Sequence, residues 1–256
     1  MSAPQFCIAA RARVFLAPKP NSQIETELLY GQGFLIHKRI GAFAEGEAVP
    51  LIPNPSGPVS RGYVRLKELG EYDDAAAYKV TALKAPVFSR KDIKSPIKML
   101  LPLGARLREF SAHREFIRIG RGHYIHRSHI GPIDTYETDF TAIAERHLGL
   151  PYIWGGVSSD GLDCSGLVQS ALWSVGQACP RNSGEQQAAL GTSIDIDAPL
   201  QRGDLIFWKG HVGIMQDSDM MVHANGYHMK THSEPLKTAA ARIKKSAGPI
   251  TAIKRL

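Results

Sequence analysis

The sequence predicts an α+β domain, helices layered on an antiparallel sheet, preceded by two small antiparallel β-barrels. Three observations lead there. An apolar helix begins at a cysteine, Cys164. Three short strand-like runs follow it, at 203–208, 211–215 and 220–224. The first half of the chain carries an internal repeat. The expected boundaries are 1–74 for the first barrel, 75–134 for the second and 135–256 for the α+β domain.

The cysteine helix comes first. Leu167, Val168, Ala171, Leu172 and Val175 recur at helical spacing, and Gly176 supplies a stop. Asp163 or Cys164 then falls at the N-cap. A thiol there faces unpaired backbone N–H groups and the positive end of the helix dipole. Both favour thiolate over thiol, so the position suits a nucleophile. A buried, inert cysteine is the competing reading.

Around this helix the elements fall in order. Gly131-Pro132-Ile133-Asp134 marks the boundary with the first half. Thr138 to Leu148 reads as a helix with Phe140, Ile143 and Ala144 on one face, stopped by Gly149 and Pro151. His147 is expected on that helix's surface. A further helix follows Pro180-Arg181-Asn182-Ser183, with Ser183 and Gln186 forming a capping box. Gln216 to Asp219 reads as the turn between the last two strands. Helices on an antiparallel sheet make this half α+β.

The repeat has an offset of 73 residues. Val14-Phe15, Ser22, Ile24, Leu28, Gly31 and Phe34 are answered by Val87-Phe88, Ser95, Ile97, Leu101, Gly104 and Leu107. Each copy closes on an aromatic strand, Gly62-Tyr63-Val64 and His123-Tyr124-Ile125, at an offset of 61. The first copy therefore holds about twelve extra residues. They are expected in 41–58, where Pro50, Pro53, Pro55 and Pro58 exclude regular structure.

Composition narrows the function classes. The 256 residues carry 31 Lys+Arg and 24 Asp+Glu, a net charge of +7. Residues 1–135 hold 20 and 12 of these, so the basic excess belongs to the first half. No basic run interleaved with aromatics appears there, which argues against nucleic acid as a partner. Cys7, Cys164 and Cys179 are odd in number and show no metal-like spacing, which argues for a reducing compartment over a disulfide framework. No leader-like or membrane-spanning stretch is seen, and a cytoplasmic location is expected. His123, His126 and His129 are evenly spaced but lack a Cys or acidic partner, so neither metal nor cofactor is expected.

A catalytic thiol needs a general base within hydrogen-bond reach and a third group to hold that base. His211 opens one strand and His223 ends the next. A hairpin centred on Asp217 sets the two directly opposite, so one imidazole can face Cys164 with the other behind it.

With these residues in view, the second half resembles the NlpC-type, papain-like cysteine peptidases of bacterial peptidoglycan metabolism. The matching motifs are Leu148-Gly149-x-Pro151-Tyr152-x-Trp154-Gly155-Gly156, Asp163-Cys164-Ser165-Gly166-Leu167-Val168, Arg181-Asn182-Ser183, Gly203-Asp204-Leu205-Ile206-Phe207, Gly210-His211-Val212-Gly213-Ile214 and Val222-His223-Ala224. The first half resembles the bacterial SH3-like barrels that accompany such enzymes. The resemblance implies Cys164 as nucleophile, His211 as general base and acid, His223 as the orienting residue and Tyr152 as a side-chain neighbour of the nucleophile. Cysteine precedes both histidines, whereas circularly permuted relatives that include acyltransferases carry the opposite order. The implied reaction is hydrolysis of the bond between γ-linked D-glutamate and a diamino acid, meso-diaminopimelate or Lys, in murein peptides. Recycling of short peptides with a free L-Ala amine is expected over hydrolysis of intact wall or mere wall binding. The resemblance further implies that Trp154, Asp163, Ser165, Asn182 and Ser183 line the groove. Arg181 is expected to pair a substrate carboxylate or brace its loop. Asn182 stands where free-amine-specific members often carry Asp, so Glu27 and Tyr63 of the first barrel are expected to help hold the ammonium.

Overall fold

The computed structural model describes residues 4–53, 57–71 and 76–256. The chain forms two compact units, one of residues up to Leu51 with Val59–Thr135, the other of Ile52–Pro58 with Tyr136–Leu256.

The first unit is all β, and the sequence repeat is a structural one. Strand Arg11–Phe15 pairs with Ile24–Leu29, and its counterpart Lys84–Phe88 pairs with Ile97–Pro102, all antiparallel. The ladder breaks register at the same place in both copies, beside Phe15 and beside Phe88. Phe15 pairs with Tyr63, and Phe88 with Tyr124. Phe15 meets Phe43 edge-on at 6.0 Å, and Phe88 meets Phe116 at the same distance and angle class. Phe43 and Phe116 keep the 73-residue offset, so the extra residues of the first copy lie between Phe43 and Tyr63. Of the prolines expected there, Pro55 lies outside the described residues. Each copy has its own core, Val14, Leu28, Phe34 and Val64 in one and Val87, Leu101, Leu107 and Ile125 in the other. The copies pack on one another: Ala10 and Tyr30 of the first lie against the core of the second. Gly31, at φ 75°, leaves no room for a Cβ against the Arg106 carbonyl.

Among the described residues the second unit has four helices and a six-stranded antiparallel sheet. The helices are α1 (Phe140–Arg146), α2 (Cys164–Ser174), α3 (Ser183–Ala189) and α4 (Leu236–Ala247). The sheet order is Thr192–Ile194, Ala252–Arg255, Leu205–Trp208, His211–Met215, Met220–Asn225, Lys230–Pro235. Three of its strands are those expected from sequence. Leu236, Ala239, Ala240, Ile243 and Ala247 form the apolar stripe of α4, packed on Ile206, Trp208, Met215, Met221 and Ile253. Helix α2 crosses the strands His211–Met215 and Met220–Asn225.

Several local expectations are corrected. Helix α1 is shorter than 138–148, because the Asp139 side chain accepts from the N–H groups of Thr141 and Ala142 and starts it there. His147 is not on the helix surface. It is the C-cap residue, and the chain turns it inward, fully buried, with Nδ1 2.8 Å from the Ile143 carbonyl. The capping box of α3 is Asn182 with Glu185, one residue earlier than expected; the Asn182 N–H donates to Glu185 at 3.2 Å. Gln186 is buried, and its amide donates to the carbonyls of Ser165 and Pro180.

Candidate active site

Helix α2 begins at Cys164 because Asp163 caps it, accepting from the Gly166 N–H at 2.7 Å. The Cys164 thiol is buried, with Sγ 4.0 Å from the Gly210 carbonyl. Gly210, at φ 75°, closes a two-residue turn that pairs Trp208 with His211. The start of the His211 strand is thereby fixed beside the start of α2.

The two histidines are bonded, but not by the expected register. Ile214 pairs with Val222 and Met215 with Met221. Continued outward, this centres the turn on residue 218, with His211 across from Asn225 and His223 across from Gly213. A displacement of two keeps both histidines on one face, so they meet diagonally. Gly213 has no side chain between them. His211 Nε2 lies 2.8 Å from His223 Nδ1.

The chain of polar contacts then continues to residues that sequence reasoning missed. His223 Nε2 lies 2.8 Å from Glu234 on strand Lys230–Pro235, which sits diagonally beyond the paired His232. Glu234 is buried and accepts two hydrogen bonds from Arg242 of α4, at 2.7 and 2.5 Å. Arg242 in turn lies over the Tyr227 ring, 4.4 Å from its centroid. The signal available was the alternation 230, 232, 234, which sets Glu234 on the histidine face once the fourth strand is recognised.

These contacts fix the proton positions. Burial works against the Glu234 charge, but its bonds to Arg242 and His223 hold the carboxyl well below the usual range. An ionised carboxylate only accepts, so His223 donates from Nε2 and accepts at Nδ1. His211 then donates from Nε2, which leaves its Nδ1 unprotonated and able to take a proton.

Burial opposes the expected thiolate. Burial, with Asp163 nearby, pushes Cys164 up to about 12, against the backbone N–H groups of Val212 and Ser165, which favour the charge. Burial and the neighbouring His223 push His211 down to about 3. The helix-start N–H groups act as expected, and desolvation opposes them, which favours the neutral pair. Tyr152 is half-buried near this thiol, and burial first, then Cys164, raise its phenol.

The groove residues divide. Arg181 is not available to a substrate carboxylate: it is buried, and both of its terminal nitrogens bond to Asp163, at 3.0 and 2.6 Å. Ser165 joins them, accepting from Arg181 at 2.9 Å and donating to Asp163 at 3.2 Å. Asp163 and Ser165, expected to line the groove, thus form a buried brace with Arg181 under the start of α2, and of the two roles expected for Arg181 the structure fits the bracing one. Trp154 and Asn182 are exposed and Ser183 is half-buried. In the first unit Glu27 is buried and ion-paired with Arg11, so its charge is already met within the sheet. Tyr63 is half-buried in the strand Arg61–Arg65.

Comparison with known proteins places part of the chain in a family. Residues 149–243 match the model of the NlpC/P60 family. The chain is 27% identical over 221 residues to a gamma-D-glutamyl-L-lysine dipeptidyl-peptidase of Bacillus subtilis, covering 78% of this chain and 72% of that protein. It is 37% identical over 108 residues to the protein of the same name from Bacillus cereus, spanning 32% of that relative's length. The crystal structure of an NlpC/P60 family protein from Bacillus cereus superimposes with a TM-score of 0.81 at 21% identity over 99% of both chains, a likeness of fold. The matched segment, residues 149–243, is a domain of the NlpC/P60 family, and it holds the helix-start cysteine and the bonded histidines.

Proposed function

We propose that this chain is a cysteine endopeptidase that hydrolyses the γ-D-glutamyl–diamino acid bond of murein peptides. The observation that carries this reading is the chain His211–His223–Glu234–Arg242, ending beside a cysteine at a helix start. It has the parts of a nucleophile, a base and an orienting group. Cys164 is the nucleophile, His211 the base and acid, and His223 the orienting residue.

From the neutral resting pair, the thiol proton passes to His211 Nδ1 as Sγ attacks the scissile carbonyl. The imidazolium is stabilised through His223 by the Glu234 carboxylate. His211 returns the proton to the leaving nitrogen as the C–N bond breaks, leaving a thioester. Water then adds to the thioester with His211 taking its proton, and the C–S bond breaks to restore the thiol. The Cys164 backbone N–H at the start of α2 and the Tyr152 hydroxyl are the oxyanion donors.

The substrate reading extends to short peptides with a free L-Ala amine, used in cytoplasmic recycling. It is supported by the relative named as a dipeptidyl-peptidase, whose similarity runs over 221 residues. With Glu27 already paired by Arg11, Asn182 of the second unit is the candidate that meets the ammonium. The diamino acid is meso-diaminopimelate or L-lysine.

Product analysis on L-Ala-γ-D-Glu-meso-diaminopimelate, with a free or acetylated N-terminus, tests this. Release of diaminopimelate from the free form alone supports the recycling specificity. Equal release from both moves the reading to intact peptidoglycan. Turnover that persists in Cys164→Ala overturns the cysteine mechanism.

A further inference from the structure

A cleft of about 250 Å³ opens in the second unit behind the histidine pair. His211 and His223 line it, together with the turn Lys209–Gly210, Tyr227 and the last turns of α4. That volume matches about eight waters, or one small amino-acid residue.

Its lining is selective in charge. Lys209 and Arg242 contribute cations, and no carboxylate is among the described residues that line the cleft. Arg242 is committed to Glu234, whereas Lys209 is exposed and has no acidic partner among the described residues. Asn225, nine-tenths buried, also lines the cleft, and its Nδ2 donates to nothing among the described residues. Tyr227 is 71% exposed, with the Arg242 guanidinium over its ring, and it lines the cleft together with Ile243. Such a lining suits a carboxylate attached to a short methylene chain.

Its position ties it to the reaction. Gly210 is shared: it lines the cleft, and its carbonyl is the one 4.0 Å from the Cys164 sulfur. We propose that the cleft seats the amine-side residue of the scissile bond, the diamino acid, with Lys209 pairing its α-carboxylate and Tyr227 and Ile243 flanking its methylenes. This rests on the peptidase reading above and adds a residue that sets specificity on the leaving side.

The test separates binding from turnover. The full chain carrying Cys164→Ala is titrated with L-lysine, meso-diaminopimelate and L-lysinamide, followed by NMR shifts of Tyr227. The amino acids are expected to bind about tenfold more tightly than the amide, the scale of one charge-assisted contact. Lys209→Gln is expected to remove that preference and leave lysinamide binding unchanged. In the active chain the same change raises KM for tripeptides ending in a free carboxylate and leaves kcat, and the carboxamide analogue, unaffected. Equal binding of acid and amide, or no effect of Lys209→Gln, overturns the cleft assignment. Binding with this preference in a chain that hydrolyses no γ-D-glutamyl bond supports the cleft and overturns the reaction instead.

Discussion

At the scale of single residues, Glu234 decides more than its distance from the thiol suggests. It has no part in bond making, yet its ionised carboxylate determines which nitrogen of His223, and hence of His211, carries a proton. Glu234→Gln keeps the shape and loses the charge, leaving Arg242 unpaired and the imidazolium unsupported. The expected result is a kcat lower by about 10- to 100-fold with KM little changed; steady-state kinetics on the tripeptide check it, and a change confined to KM contradicts it. Cys164 gives a second prediction. Its thiol is raised to about 12 and His211 lowered to about 3, so between these values neither group is charged. Alkylation of Cys164 by iodoacetamide, read by mass spectrometry of its peptide, should rise about tenfold per pH unit from pH 6 to 10. A plateau reaching down to acid pH signals a preformed ion pair and refutes this. Cys164, His211 and His223 were legible because each sits in a compact local motif. Glu234 and Arg242 were not, since each reads alone as a solvated charge and only the fourth strand and α4 bring them together.

At the scale of elements, the sequence indicated the central hairpin but not its register, because Asp217 is not the centre of its turn. Its carboxylate accepts from the N–H groups of Asp219 and Met220, which moves the centre to residue 218. The site tolerates this because a shift of two preserves the face of every side chain. Helix α2 was legible from its apolar period, whereas the Asp163–Arg181 brace joins residues 18 apart and had no local signal. Two glycines at these elements make contrasting predictions. A Cβ on Gly166 meets the Gly156 carbonyl, a backbone atom at the start of α2 that has nowhere to go. A Cβ on Gly213 meets the Met221 side chain, which can rotate. Gly166→Ala is expected to destabilise the second unit by about 3 kcal/mol and Gly213→Ala by about 1 kcal/mol. Urea unfolding of both variants checks the order, and equal losses contradict it.

At the scale of the whole molecule, the two units differ in their response to acid. In the second unit burial lowers four imidazoles among the described residues: His147 to about 4, His211 to about 3, and His223 and His228 below their ordinary value. An imidazole lowered in the folded state binds fewer protons there than in the unfolded chain, so folding stability rises with pH. The stability is whole above pH 6.5 and is lost as pH falls toward the folded value. The slope is about 1.4 kcal/mol per pH unit for each fully differing proton. His147 has Nδ1 on the Ile143 carbonyl and a buried Nε2 with no partner among the described residues, so protonation puts its charge where nothing meets it. It alone withdraws on the order of 3 kcal/mol by pH 4. In the first unit the one shifted imidazole among the described residues is the less buried His129, and burial of Glu68 raises its carboxyl, which favours acid. Between pH 6.5 and 4 the second unit should therefore unfold ahead of the first. Trp154, Trp173 and Trp208, the three tryptophans of the chain, all belong to the second unit, so tryptophan fluorescence follows it alone while far-ultraviolet circular dichroism follows both. Acidification should move the fluorescence midpoint in urea down before the dichroism is fully lost, and His147→Gln should shrink that pH dependence. Coincident transitions at pH 4.5, or an undiminished dependence in His147→Gln, rule the account out.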